Sequence, residues 1–203
     1  MSLNAAKFYD ILRNGDLLGP VLDKGEVEGI QAILDATPRW GTSWLAYALA
    51  TAYHETAHTM QPISEYGGPK YFTRMYDIRG SRPSLAKSMG NTSPGDGAKY
   101  HGRGFVQLTW KTNYDKAGKK LGIDLVNHPE KAKDINVAAK IMASGMIEGW
   151  FSGKGLRDYL PGLGPATKAQ FMKARRIING NDKSDLIANY ALIFQQALIN
   201  AGY

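Results

Sequence analysis

Trp44-Leu45-Ala46-Tyr47-Ala48-Leu49-Ala50-Thr51-Ala52-Tyr53-His54-Glu55-Thr56-Ala57-His58-Thr59-Met60 decides the fold class. The run is apolar almost all round until His54, and a helix with no polar face has to lie inside a core. It predicts a buried central helix from Trp44 to Met60, stopped by Gln61-Pro62. Upstream, Val21, Leu22, Val27, Ile30, Ile33 and Leu34 recur at helical spacing and predict a helix from Leu17 to Ala36, ended by Thr37-Pro38. Further helical patterns fall at about 112–121, 134–151, 165–178 and 183–201, separated by Gly-rich breaks such as Gly153 to Gly164. Between them, residues 61–99 are rich in Gly, Pro, Ser and Lys and read as a long irregular stretch. Such stretches inside a compact domain usually carry function. The chain reads as all-α, without repeats.

Its 203 residues, 43% hydrophobic and 21% charged, suit one soluble domain with a sizeable core. The domain reading is a single catalytic unit over 1–203, with an N-terminal helical segment at 1–40 and a catalytic core at 41–203. No apolar run approaches a membrane span, and the start lacks the basic-then-apolar order of a secretory signal. There is no Cys, which excludes disulfides, thiolate chemistry and Cys-based metal sites. The formal charge is +7 and unevenly placed. Residues 1–40 hold four basic and six acidic groups; the remainder holds twenty-one basic and twelve acidic. That surplus favours a polyanionic partner such as an anionic cell envelope, or else keeps a solvated surface soluble. No nucleic-acid-binding motif is found, and the basic residues are scattered apart from Lys119-Lys120 and Arg175-Arg176.

Two segments carry chemistry. Residues 54–68, His-Glu-Thr-Ala-His-Thr-Met-Gln-Pro-Ile-Ser-Glu-Tyr-Gly-Gly, supply Glu55 and Glu65. Residues 100–114, Tyr-His-Gly-Arg-Gly-Phe-Val-Gln-Leu-Thr-Trp-Lys-Thr-Asn-Tyr, set apolar Phe105, Val106 and Leu108 against hydrogen-bonding Gln107, Thr109 and Asn113. Close glycines let a backbone approach a ligand or another strand. Glu55 sits near the C-terminal end of an apolar helix, where the helix dipole and desolvation both favour a protonated carboxyl. Glu65, in the loop beyond, is expected to be better solvated and ionised. Two carboxyl groups driven toward opposite protonation states are what glycoside hydrolysis needs. His54-Glu55-Thr56-Ala57-His58 also matches the zinc-peptidase pattern, since His at i and i+4 share a helix face. No third ligand stands out, though Glu65 could serve in principle, so on the pattern alone a zinc site stays open beside a structural role for His54 and His58 at a helix end.

Four segments resemble, in order, glycoside hydrolase family 19, the plant-type chitinase family, and within it the bacteriophage endolysins. They are His54-Glu55-Thr56; Glu65-Tyr66-Gly67-Gly68 followed by Tyr71 and Tyr76; Gly102-Arg103-Gly104 through Gln107-Leu108-Thr109 to Asn113-Tyr114; and Ile177-Ile178-Asn179-Gly180. The resemblance implies a lysozyme-like, two-lobed helical domain with a substrate groove. It implies Glu55 as general acid, Glu65 as general base, and Thr109 as a holder of the attacking water. Gln107, Asn113 and Asn179 would bind sugar hydroxyls or N-acetyl groups, with His54 beside the acid. Tyr100 and Trp110 would be stacking residues or core, and Arg103 would touch sugar or anchor loops.

The activity implied is hydrolysis, with inversion, of β-1,4 bonds between N-acetylated sugars, with no cofactor. Peptidoglycan, or another polysaccharide containing N-acetylglucosamine, is the expected partner, without nucleic acid or membrane insertion, for a monomer. The expected setting is a lysin made in a bacterial host's cytoplasm and reaching the wall through a holin-type pore. Chitin is the alternative substrate. A zinc peptidase and an inactive wall-binding module are the alternative classes.

Overall fold

A computed structural model describes residues 3–15 and 17–203. The fold is predominantly helical, and the chain forms two compact units. The first comprises Met1–Gln61 with Met142–Tyr203; the second is Pro62–Ile141. No helix among the described residues is long and apolar enough to cross a membrane.

The first unit is built around the helix Thr42–Glu55, buried from Thr42 through Tyr53. Its main partner is the helix Ser184–Asn200, which buries Ile187, Ala188, Ala191, Phe194, Ala197 and Leu198. Polar groups drawn into this core are satisfied on the backbone: Tyr47 Oη donates to the Ala174 carbonyl over 2.9 Å and Ser43 Oγ to that of Pro161 over 2.9 Å. Burial pushes the Tyr47 phenol well above its ordinary value, so the group stays a donor.

The central helix stops at Glu55, five residues short of the expected Met60. Thr56 accounts for this. Its hydroxyl donates back to the Ala52 carbonyl over 2.7 Å and accepts from the Met60 amide over 3.0 Å. Ala57, His58 and Met60 then take φ values of 50°, 71° and 53°, which a helix cannot contain. Apolar content alone did not reveal that turn.

The preceding helix covers Lys24–Ala36 rather than starting at Leu17. Asp23 and Glu26 form a capping box there, with Asp23 Oδ1 accepting from the Glu26 amide over 2.7 Å. An additional helix, Ala5–Arg13, opens the chain, capped by Asn4. Toward the C-terminus the pattern over 165–178 resolves into Lys168–Ala174 and a 3-10 turn at Arg175–Ile177.

The second unit contains the stretch that read as irregular, and three short helices interrupt it: Pro69–Tyr76, Pro83–Ser88 and Asp96–Lys99. Proline at the first turn of two of them is compatible with helix, which is why proline-rich sequence concealed them. Asp77, with its side chain fully buried, ties the segment together. Its carboxylate accepts from the Arg79 amide and Nε, and from the amides of Gly95 and Gly97. Burial works against the charge, but the Arg79 contacts and the Gly95 and Gly97 amides outweigh it and hold the carboxyl below the usual range.

Ile63–Ser64 pairs antiparallel with Arg103–Gly104, Ile63 opposite Gly104 and Ser64 opposite Arg103. After a tight turn the chain proceeds into the helix Lys111–Leu121. Phe105, Leu108, Tyr114, Ala117 and Leu125 form the apolar interior. The helix Ile135–Glu148 begins in this unit and ends in the first.

Candidate functional site

Glu55 is the last residue of the central helix, in keeping with its expected place near the C-terminal end, but a cation that sequence did not anticipate lies against it. Arg175 Nη1 donates to Glu55 Oε1 over 2.7 Å. The Arg175 side chain is 1% exposed and that of Glu55 17%, so the carboxyl remains partly reachable while its partner is sealed in. Arg175 Nε donates in turn to the Asp182 carbonyl over 2.8 Å. A fully buried guanidinium requires a counter-charge and Glu55 supplies it. Sequence reasoning placed Arg175 merely in a basic pair; the available signal was an Arg at helical spacing with Phe171, Ala174 and Ile178.

His54 is half-buried beside it, and burial lowers its pKa, keeping the ring neutral near pH 7. The two histidines of the zinc-like pattern do not share a helix face, because the helix has ended before His58. The His58 ring instead stacks on Tyr53, centroids 4.3 Å apart. Asn179 lies exposed after the Arg175–Ile177 turn in the same unit.

Glu65 belongs to the second unit, immediately after Ser64, and it is not a freely solvated loop residue. Tyr76 Oη donates to its Oε1 over 2.7 Å and Tyr71 Oη over 3.2 Å, while the Gly102 amide donates to Oε2 over 3.2 Å. Its own amide donates to the Gly102 carbonyl over 2.8 Å. Burial first, then the hydrogen bond to Glu65, drives the Tyr76 phenol far above its ordinary value, so it remains protonated and donating. A Cβ on Gly102 would lie 2.9 Å from Gln107 Oε1 and 3.2 Å from Glu65 Oε2. The space left by this glycine is therefore used by the protein's own carboxylate and amide.

The signature segment turns sharply. Gln107 and Trp110 adopt φ of 52° and 77°, strained for residues with a side chain, by about 1–3 kcal/mol each. Gln107 Nε2 bridges the carbonyls of Ile63 and Gly104 over 3.3 and 3.1 Å. Thr109 Oγ1 donates to the Gln107 carbonyl over 2.8 Å, which leaves its lone pairs free to accept. Asn113 Nδ2 donates to the Thr109 carbonyl over 2.8 Å. Trp110 is partly exposed and meets Tyr76 edge-on at 5.0 Å.

Two residues left between sugar contact and a structural place, Tyr100 and Arg103, face inward. Tyr100 is 1% exposed, with its hydroxyl on the Val126 carbonyl at 3.1 Å, and is core. Arg103, 9% exposed, donates to the carbonyls of Lys99 and His101 and to Tyr114 Oη, which makes it a loop anchor. Arg103 is itself a strand residue, paired with Ser64, and Tyr100 caps the helix Asp96–Lys99 with its ring 5.6 Å from that of Tyr114, so both are drawn into the interior.

Helical folds of this kind are known. Chitinase C from Streptomyces griseus HUT6037 superposes with a TM-score of 0.62 at 23% identity, covering 95% of this chain and 75% of that one. A bacterial family 19 chitinase superposes with a TM-score of 0.57 at 24% identity, covering 95% and 93%. At such identities the likeness is one of fold. The model of the family described as chitinase class I, glycoside hydrolase family 19, matches residues 35–151, more than half of the chain. The chain belongs to this family. The match includes Glu55, Glu65 and Thr109 and ends before Asn179.

Acidic endochitinase SP2 of Beta vulgaris is 39% identical over 75 residues, 36% of this chain and 24% of that protein. An acidic endochitinase of Petunia hybrida is 36% identical over 91 residues, 44% of this chain and 29% of that protein. The matched region thus spans under a third of these relatives' lengths.

Proposed function

We propose that this protein hydrolyses the β-1,4 bonds of peptidoglycan glycan strands by acid/base catalysis with inversion. Glu55 takes up a proton on Oε2, the oxygen that Arg175 does not hold, and gives it to the glycosidic oxygen as the bond to the anomeric carbon breaks. Glu65 takes a proton from the water whose oxygen becomes the new substituent on the opposite face, and Thr109 accepts a hydrogen bond from that water. Gln107, Asn113, Asn179, Trp110 and His54 serve substrate binding and orientation. Two carboxyl groups and water suffice for the chemistry.

The observation that carries this reading is that both family carboxylates are individually gripped. Arg175 orients Glu55, and Tyr71, Tyr76 and the Gly102 amide orient Glu65. Catalytic groups need such fixing, because small misplacements cost rate. The positive surplus favours the anionic wall as substrate over neutral chitin. Chitin is the second reading, since the relatives carry the name endochitinase.

Purified sacculi and chitin oligomers, digested side by side, test the proposal. Mass spectrometry should find new reducing ends from sacculi, and NMR should find the inverted anomer first. Cleaved stem peptides, or release from chitin alone, would overturn it.

A further inference from the structure

The division of the chain into two units also divides its charge. The second unit, Pro62–Ile141, holds fourteen basic and seven acidic residues; the first holds eleven of each. The whole formal surplus of +7 therefore sits in the unit that carries Glu65.

Part of that surplus is arranged around the carboxylate. Tyr71 and Tyr76, whose hydroxyls meet at Glu65 Oε1, each carry a guanidinium over the ring. The Cζ of Arg74 lies 5.8 Å from the Tyr71 centroid, and that of Arg82 lies 5.8 Å from the Tyr76 centroid and 5.9 Å from Trp110. Arg82 is further fixed by donating Nε and Nη2 to the Met75 carbonyl over 3.2 and 2.9 Å. Both side chains are exposed, and neither is ion-paired with a carboxylate among the described residues. Two restrained, solvent-facing guanidiniums with no internal counter-charge, flanking a functional carboxylate, match the requirements for binding an external anion.

Building on the hydrolase reading, we propose that Arg74 and Arg82 determine specificity by binding an anionic substituent of the glycan, a carboxylate or phosphate, next to Glu65. A neutral N-acetylglucosamine polymer offers these residues nothing to pair with. Stem-peptide-bearing strands offer carboxylates, and wall polymers attached to them offer phosphates. Fixed aromatic platforms reduce the entropy each arginine loses on pairing.

The test compares wild type, Arg74→Gln, Arg74→Gln/Arg82→Gln, Arg74→Lys and, as a control from the neutral unit, Lys154→Gln. Binding is read by sedimentation with sacculi, with sacculi stripped of phosphate polymer by acid, and with chitin; reducing-end release is read separately. The preference for sacculi over chitin should fall about two- to fivefold per arginine removed, the scale of an exposed ion pair. Lysine at 74 should retain most of the preference, and Lys154→Gln should keep it. Added salt should shrink the wild-type preference toward that of the double variant. Loss confined to unstripped sacculi assigns the anion to phosphate, and loss on both forms assigns it to carboxylate.

An unchanged preference in the double variant, or an equal fall in Lys154→Gln, would overturn the inference. A folded wild type that binds selectively but releases no reducing ends would overturn the hydrolase reading instead, while the binding ratios still judge the two arginines.

Discussion

Arg175 and Glu55 form a 2.7 Å ion pair across 120 residues of sequence, with the guanidinium sealed from solvent. The proposed general acid is thus also the counter-charge of a buried cation. Its substitution has both a catalytic and a structural consequence, and the two separate by choice of variant.

Glu55→Gln should lose about 10²–10⁴-fold in turnover, because an amide keeps the acceptor oxygen for Arg175 but cannot protonate the leaving group. The variant should stay folded, at a cost of about 1–3 kcal/mol for the weakened bond. Arg175→Met should destabilise through the Glu55 carboxylate it strands, and the loss should appear in Tm. Circular dichroism and reducing-end assays on the two proteins check this. A folded Glu55→Gln enzyme with half its activity would remove Glu55 from the acid role.

Tyr76→Phe removes the shortest hydrogen bond to Glu65 while keeping the ring that packs on Trp110. We expect kcat to fall about tenfold with KM little changed, since Tyr71 and the Gly102 amide still hold the carboxylate. A fall in Tm with kcat unchanged while the variant is folded would reduce Tyr76 to a packing residue.

Asp77 should make stability depend on pH. Its folded value lies below the ordinary 3.8, so its contribution is complete above that value and disappears as pH drops through the lower folded value. Asp77→Asn should therefore unfold more easily than wild type at neutral pH, by about 1–3 kcal/mol, and the gap should close in strong acid. Thermal melts from neutral pH downward measure it; a gap constant across the series would contradict the assignment.

Chelation should leave activity intact. His54 and His58 lack the shared helix face that a zinc-peptidase site requires, since the helix ends at Glu55 and His58 stacks on Tyr53. Inactivation by EDTA with recovery on adding zinc would return the peptidase class to consideration.

The helical class was legible in sequence because burial imposes a composition: a helix surrounded by core on every side, as at Leu45 to Ala52, has to be apolar on every side. The motifs around Glu55, Glu65 and Gln107 were legible because they are local, with each spacing readable along the chain. The end of the central helix was not, since it depends on one Thr56 hydroxyl that bonds both Ala52 and Met60. Nor was the inward turn of Tyr100 and Arg103, because aromatic and basic side chains suit core and surface alike until a neighbouring carbonyl decides. The partners of the two carboxylates came from tertiary structure alone. Arg175 reaches Glu55 from a distant segment, and Tyr71 and Tyr76 reach Glu65 only after a proline-rich stretch folds into a helix. Composition can state that a chain carries charge; only packing brings particular charges and hydroxyls within hydrogen-bond range, because those energies fall away over a few ångströms.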